Sequence, residues 1–193
     1  MTIFEKAIHD ATTTIESLRP LQSVHEQAAE VVGRSLLNGN KLLVCGNGGS
    51  AADAADFATE FACRFVSDRR PYPALNLAAC GSLLTAIGND YGYDEVFARQ
   101  VRAFGQKDDV FVAISTSGNS KSIISAIAAA NIAGLHTIAL LGRDGGRARG
   151  LAQMELIVAT DITARIQEAH KFLLHTLCEI VETRFILPKP EAQ

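Results

Sequence analysis

Five short apolar runs alternate with stretches of helical periodicity along most of this chain. Each run has about the length of a buried strand, and the runs cover residues 41–45, 74–77, 109–114, 136–141 and 156–159. The chief helical stretches cover 50–65, 81–87, 95–104, 121–133 and 164–185. Continuous apolar strands separated by helices are typical of a parallel sheet covered on both faces. The sequence therefore predicts an α/β fold, a three-layer sandwich.

Two more helices are predicted ahead of the first strand. Apolar residues recur at helical spacing until Pro20 ends the first run, and again until the turn at 38–40 ends the second. Each helix has one apolar side, and either another subunit or the chain's own sheet is an equally good partner for it. We divide the chain into an N-terminal helical segment for packing or oligomerisation (1–40), an α/β domain (41–187) and a flexible tail (188–193).

Composition excludes several functional classes. The 193 residues carry a net charge of -3 and no Trp, so the cationic surface and stacking aromatics of a nucleic-acid-binding protein are missing. The N-terminus lacks the apolar core of a secretory signal, and no apolar run approaches the roughly 18 residues that cross a bilayer. Four widely spaced cysteines without a CxxC pair are typical of reduced, mostly buried thiols. We expect a cytoplasmic protein that binds neither nucleic acid nor membranes.

A glycine-rich loop follows the first predicted strand, at a place where open α/β sheets bind ligands. It reads Gly46-Asn47-Gly48-Gly49-Ser50. Glycines permit a tight turn and a close approach of backbone N–H groups to a ligand, and Ser50 is a candidate cap for the next helix. The loop matches neither the Walker A pattern nor GxGxxG. An ordinary strand-to-helix turn explains it equally well.

A hydroxyl-rich loop follows the third predicted strand and leads into a helix. Its hydroxyls belong to Ser115, Thr116, Ser117 and Ser120. Hydroxyls and backbone donors at a helix N-terminus hold a phosphate dianion without Arg or Lys. A polar turn with one N-cap serine would explain one hydroxyl but not four. We therefore predict a phosphate site, to which Lys121 adds charge unless it is a solvated surface residue.

Four motifs in order, CGNGGSAADA, AIGNDYG, ISTSGNS and ARIQEAH, resemble the sugar isomerase (SIS) domain family, and within it the phosphoheptose isomerases. The resemblance runs over nearly the whole chain. It implies a flavodoxin-like parallel sheet, a homotetramer with active sites at subunit interfaces, and bound Zn²⁺. The implied reaction converts sedoheptulose 7-phosphate to D-glycero-D-manno-heptose 7-phosphate through an enediol, for bacterial cell-surface lipopolysaccharide.

The resemblance also implies which residues act. Glu60 and His175 form the acid–base pair that aldose–ketose interconversion needs, and the hydroxyl-rich loop holds the phosphate. The remaining contacts to the substrate fall to Asn47, Gly48, Gly49, Glu60, Asn89, Asp90 and Gln167.

Taken without the family, these residues have plainer explanations. Asn89-Asp90, flanked by glycines, suits a turn. Glu60 suits a helix-surface ion pair with Arg64 at the favourable spacing of four residues. His175, among leucines, suits a core or interface histidine.

A departure from the family occurs at the implied metal ligands, which are Asp56, Glu60, Gln167 and His175. The family has a histidine where this chain has Asp56. Asp56 and Glu60 share one helix face, so their like charges need a cation nearby. A metal ion would supply it, and Arg64 would do so in part. Carboxylate is an acceptable zinc ligand, although its hardness favours other divalent ions.

The spacing of two implied ligands bears on the assembly. Gln167 and His175 are eight residues apart on one predicted helix, about 12 Å along its axis at ~1.5 Å per residue. An ion with bonds of about 2 Å does not readily accept both from one straight helix. We therefore expect the site to be shared between subunits.

Two alternative functions stay open. The first is a non-catalytic SIS tetramer acting as a DnaA-binding, DiaA-like scaffold, which the presence of both Glu60 and His175 argues against. The second is an isomerase or binding protein for another phosphosugar, such as a hexose phosphate. Asn89-Asp90 and Gln167 argue against it only modestly.

Overall fold

A five-stranded parallel sheet forms the centre of the molecule. The structure is a computed structural model that describes residues 1–186, so the predicted tail at 188–193 lies outside the described residues. The strands are β1 Leu42–Gly46, β2 Ala74–Asn76, β3 Val110–Ser115, β4 His136–Gly142 and β5 Met154–Val158. They lie in the order β2-β1-β3-β4-β5, and each neighbouring pair is parallel. This is the flavodoxin-like order, which confirms the predicted fold.

Helices cover both faces of the sheet. They are α1 Ile3–Glu16, α2 Gln22–Leu37, α3 Gly49–Ala62, α4 Gly81–Tyr91, α5 Ala98–Phe104, α6 Lys121–Ile132 and α7 Thr163–Val181. Alternate residues of each strand point to opposite faces, so β3 sends Val112 and Ile114 to one core and Phe111 and Ala113 to the other. The first core is closed by α2, α3 and α7, and the second by α4, α5 and α6.

The two N-terminal helices differ in whether they pack on the chain's own sheet. α2 packs on the chain's own sheet and on α7, and Ala28, Ala29 and Val32 are fully buried there. α1 begins with a capping box formed by Thr2 and Glu5 and contacts α7, but leaves its outer side exposed. The exposed apolar side chains of α1 are Ile3, Phe4 and Ile8.

Several element boundaries differ from the sequence prediction because backbone breaks and tertiary contacts set them. α3 ends at Ala62 rather than near residue 65, since Cys63 leaves the helical conformation. α4 continues to Tyr91, where Gly92 with a φ of 87° ends it. α7 ends at Val181 and passes into a π-helical turn, Glu182–Ile186.

Two other expectations bear on the chemistry of the chain. All four cysteines are free, but only Cys45 and Cys178 are buried, so the expectation of mostly buried thiols fails for Cys63 and Cys80. Among residues 1–186, no helix combines the length and the hydrophobicity that a membrane span requires.

Candidate active site

The two polar loops meet at the carboxyl edge of the sheet, between β1 and β3, where the strand order reverses. Asn47 follows β1, and its Nδ2 donates to the Oγ atoms of Ser120 at 2.9 Å and Ser122 at 3.0 Å. The hydroxyl of Tyr93 donates to Asn47 Oδ1 at 2.7 Å. Because both ends of the amide are engaged, its orientation is fixed. Asn47 therefore ties the glycine-rich loop to the hydroxyl-rich loop at the usual ligand position of this fold.

The hydroxyl-rich loop is folded by its own hydrogen bonds. The buried Ser115 Oγ accepts from the Gly118 N–H at 3.1 Å, and Ser117 Oγ accepts from the Asn119 N–H at 3.2 Å. Gly118 has a φ of +61°, and a Cβ there would lie 1.9 Å from the Gly145 carbonyl oxygen. Only glycine therefore allows this turn to pack against the neighbouring loop.

A helix N-terminus faces the same loop. Ser120 is the N-cap residue of α6, yet its side chain makes no capping hydrogen bond and contacts Asn47 and Ser122 instead. The first amides of α6 are thus left without a side-chain acceptor, and the helix dipole adds positive potential there. This arrangement suits an anion. The ammonium of Lys121 is exposed and lies 3.7 Å from the Asp94 carboxylate. This position favours the alternative that Lys121 is a solvated surface residue.

The glycine-rich loop brings Gln167 into the same region. Gly48, with a φ of 56°, is the N-cap of α3. The predicted cap at Ser50 is wrong, because the helix already begins at Gly49 and Ser50 is a buried residue of its first turn. A Cβ on Gly49 would lie 2.2 Å from Gln167 Nε2. The missing side chain at Gly49 therefore makes room for the Gln167 amide beside the loop.

Asn89 and Asp90 belong to α4, which follows β2 rather than β1 or β3. They lie in the exposed last helical turn of α4, so the chain-reversing turn that local sequence alone suggested for them is not observed. Asn89 Nδ2 donates to Asp90 Oδ1 at 2.8 Å. Among the hydrogen bonds of residues 1–186, none joins either side chain to the two polar loops. Their assigned contact with the substrate stays a prediction.

Glu60 and His175 lie at the opposite end of a helix pair from the loops. α3 and α7 run side by side in one direction, since both follow strands and cover the same sheet face, and Gln167 meets Gly49 near their first turns. Eleven residues separate Gly49 from Glu60, about 16 Å along the helix at ~1.5 Å per residue. Burial, and then the charge of Glu60, raise the pKa of the Cys178 thiol, one turn beyond His175. Glu60 and His175 therefore share the far end.

The ion pair proposed for Glu60 and the core position proposed for His175 are not observed, whereas the interface position proposed for His175 stays a prediction. Arg64 donates to the Val66 carbonyl oxygen at 3.4 Å, and no ion pair between Arg64 and Glu60 occurs in the described residues. His175 is exposed, with its ring centroid 6.0 Å from that of Phe65, so it is not a core residue. Both groups are accessible to a molecule that approaches this end of the helix pair.

The implied zinc ligands are not gathered within one chain. In the part of the chain that the structure describes, no three His, Cys, Asp or Glu side chains are grouped closely enough to hold a metal ion. The Asp56 carboxylate is instead bound by Lys171, with Nζ 2.5 Å from Oδ2. An ammonium group cannot act as a ligand and repels a dication, so this arrangement does not fit a metal ion at Asp56. The zinc prediction at Glu60, Gln167 and His175 stays untested.

The sequence interpretation missed four residues that the structure connects to these groups. They are Tyr93 and Ser122, which hold Asn47, and Asp53 and Lys171, which pair across α3 and α7. Two of them carried a usable signal. Ser122 extends the run of hydroxyls by one more residue, and Lys171 lies four residues from both Gln167 and His175 on one helix face.

The histidine of the ARIQEAH motif has a structural role. His170 is fully buried, and its Nε2 donates to the Leu141 carbonyl oxygen at 3.2 Å, while Nδ1 has no partner among the described residues. Burial lowers the pKa of His170 to about 4, although the hydrogen bond and the charge of Asp53 act in the opposite direction. The ring is therefore neutral near pH 7 and ties α7 to the end of β4.

Residues 8–142 match the family model described as SIS domain, in agreement with the flavodoxin-like sheet and the hydroxyl-rich loop at its switch point. The chain is 48% identical over 170 residues, 88% of each chain, to a phosphoheptose isomerase of Helicobacter pylori strain P12. It is 46% identical to one of Coxiella burnetii strain Dugway 5J108-111, with 95% of this chain and 92% of the relative covered.

Solved structures agree with these relatives. The phosphoheptose isomerase of Neisseria gonorrhoeae superposes with a TM-score of 0.84 at 44% identity, over 93% of this chain and 94% of that one. The phosphoheptose isomerase of Francisella tularensis gives 0.86 at 38% identity, over 94% and 95%. The chain belongs to the phosphoheptose isomerase family, which confirms the resemblance found in its motifs.

Proposed function

We propose that this protein isomerises sedoheptulose 7-phosphate to D-glycero-D-manno-heptose 7-phosphate, which then enters synthesis of bacterial cell-surface polysaccharide in the cytoplasm. The observation that carries the proposal is the anion site at the β1/β3 switch point, which combines hydroxyls with an uncapped helix N-terminus. The similarity to phosphoheptose isomerases over most of the chain supports the substrate. It does not favour the scaffold function or another phosphosugar.

The phosphate binds first in this scheme. Ser120 Oγ accepts a hydrogen bond from Asn47, and its hydroxyl proton is available to a phosphate oxygen when Ser122 is the donor in the Ser120–Ser122 hydrogen bond. The amides at the start of α6 donate to the same group. Anchoring the phosphate in this way fixes the distance at which the carbonyl end of the sugar lies from the loop.

The reaction then moves two protons. A base removes a proton from C1, the electron pair of that bond forms the C1–C2 double bond, and O2 takes up a proton to give the enediol. Loss of the O1 proton and protonation of C2 complete the aldose. Glu60 and His175 share these transfers, because a carboxylate and an imidazole can each accept and return a proton near neutral pH.

The active site of this proposal is shared between subunits of a homotetramer. Within one chain the acid–base pair lies at the far end of α3 and α7, more than two helical turns from the loops that hold the phosphate. A second chain that presents Glu60, His175 or both to these loops would complete the site. The exposed apolar side chains Ile3, Phe4, Ile8 and Phe172 are suitable surfaces for such an assembly.

A kinetic assay with sedoheptulose 7-phosphate tests this function. We expect turnover by the wild type, and a fall in kcat of about 10²–10⁴-fold in Glu60→Gln with little change in KM, since a proton-transfer group is lost. Ser120→Ala should mainly raise KM. Glu179→Gln is the matched control, because it removes an exposed carboxylate one turn beyond His175. A wild type that leaves this substrate unchanged would refute the proposal.

A further inference from the structure

Lys171 joins the two helices that carry the implied metal ligands. Its Nζ lies 2.5 Å from Asp56 Oδ2 and 2.9 Å from Asp53 Oδ1, so one ammonium group bridges two carboxylates of α3. Lys171 is four residues after Gln167 and four before His175, and all three lie on one face of α7. The lysine thus stands between the two α7 residues that the family resemblance assigns to a metal.

The carboxylates around Lys171 need a positive charge. Asp53 is buried, and Asp56 lies three residues from it and four from Glu60 on the same helix, so their mutual repulsion destabilises the uncompensated site. The ammonium of Lys171, which forms salt bridges to both Asp53 and Asp56, neutralises part of this charge.

The same residues are poorly suited to a metal ion. A divalent ion at Asp56 would have to displace an ammonium group that two carboxylates hold, and it would not find the imidazole that the family has at this position. Asp56 replaces the imidazole that the family has as a metal ligand, and Lys171 places an ammonium group where a metal ion would bind. Together the two residues form a salt bridge.

We propose that Lys171 supplies, from within the chain, the positive charge that a divalent ion would otherwise supply at Asp56, so that this isomerase excludes metal there and works without it. Lys171 is a positioning residue, because it touches neither polar loop in this structure. It holds α3 and α7 in register, and with them Glu60 and His175. The kinetic part of the inference rests on the proposed function, whereas the metal-binding part does not.

Metal binding is measured on the full-length protein after dialysis against EDTA, by titration calorimetry with Zn²⁺ alone. We expect no stoichiometric binding to the wild type. Lys171→Met keeps the apolar stem but leaves Asp53 and Asp56 uncompensated, so we expect Zn²⁺ to bind at least tenfold more tightly than to the wild type. Adding Asp56→His to it supplies the imidazole and should tighten binding further.

Two variants control the charge and the fold. Lys171→Arg retains the cation and is expected to keep Zn²⁺ out. Lys6→Met removes an exposed lysine that pairs with Asp10 on α1 and is expected to bind Zn²⁺ no better than the wild type. Stoichiometric, tight Zn²⁺ binding by the wild type overturns the inference without reference to any variant, as does a folded Lys171→Met protein that binds no more tightly.

Turnover before and after chelation separates this inference from the proposed function. We expect the wild type to isomerise sedoheptulose 7-phosphate at an unchanged rate in EDTA. Activity that is lost in EDTA and recovered with Zn²⁺ overturns the inference and supports the metal ligands that the resemblance implies. Absence of turnover in every condition, together with weak Zn²⁺ binding, instead refutes the proposed function and leaves the role of Lys171 intact.

Discussion

At the scale of single residues, the side-chain amide of Asn47 connects the two polar loops of the candidate site. Asn47 is held from one side by Tyr93 and from the other by Ser120 and Ser122. Asn47 was predicted as a substrate contact from the family resemblance, although its glycine-rich loop alone suits an ordinary turn equally well. Tyr93 was not, because it is 46 residues away and reaches Asn47 only once α4 has been folded against the sheet.

Removing the Tyr93 hydroxyl tests this arrangement. Tyr93→Phe should raise KM for sedoheptulose 7-phosphate by roughly fivefold and change kcat less, since a hydrogen bond of about 1 kcal/mol that orients Asn47 is lost. Binding of inorganic phosphate, measured by calorimetry, should weaken in proportion. Tyr91→Phe is the control, because that exposed ring lies under the Arg99 guanidinium and outside the loops. An unchanged KM would show that Tyr93 does not position the site.

Buried His170 predicts a particular dependence of stability on pH. The unfolded chain binds a proton at this residue below about pH 6.5, whereas the folded protein does so only below about pH 4. Acidification from 6.5 to 4 should therefore lower the free energy of unfolding, by as much as ~3 kcal/mol.

His170→Gln removes this titration. Urea unfolding across that pH range should show a flatter profile for the variant than for the wild type. His136→Gln, which alters a half-buried histidine at the start of β4, serves as a comparison. Parallel profiles for the His170→Gln variant and the wild type would contradict the assignment.

At the scale of elements, periodicity predicted the strands and helices but not their ends. The apolar runs identified every strand to within about two residues. The end of α3 was misplaced because it depends on a distant residue. Arg69 donates to the carbonyl oxygens of Glu60 and Phe61, which the helix itself leaves unpaired. No local pattern in the sequence indicates that contact.

The ion pair between Arg69 and Glu182 joins the segment after α3 to the π-helical turn after α7. Both side chains are almost fully buried, and Glu182 also accepts from the Ser67 N–H at 2.7 Å. Glu182→Ala should lower the free energy of unfolding by about 3–5 kcal/mol, because it leaves the buried Arg69 charge without a counter-charge. Denaturant unfolding measures the loss. The exposed Glu179→Ala should stay within about 0.5 kcal/mol of wild type, and equal effects of the two would contradict this view.

At the scale of the whole molecule, the sheet order was predictable and the complete site was not. Alternating strands and helices predicted a parallel sheet, and the motif resemblance implied its flavodoxin-like order, which brings the loops after β1 and β3 together. The acid–base pair, however, lies at the far end of α3 and α7. A single-chain sequence holds no signal for which surface of another copy meets these loops. The family resemblance and the spacing of Gln167 and His175 both predict that a second copy contributes to the site.

Hybrid oligomers test whether Glu60 and His175 of one active site come from different subunits. Glu60→Gln and His175→Ala should each be nearly inactive alone. If the two residues act from different subunits, mixtures refolded together should regain part of the wild-type activity, because some sites receive both intact groups. Mass spectrometry of the mixtures verifies that hybrids have formed. Hybrids that form but remain inactive would place both residues in the same subunit.

The most direct test of the isomerase assignment follows the substrate itself in D₂O by NMR. We expect the wild type to convert sedoheptulose 7-phosphate to the aldose, with deuterium from solvent at C2, because the enediol is protonated there by a group that exchanges with water. Glu60→Gln should form this product at least a hundredfold more slowly. If the ketose persists unlabelled and unconverted with the folded wild type, the protein is not an isomerase of this substrate.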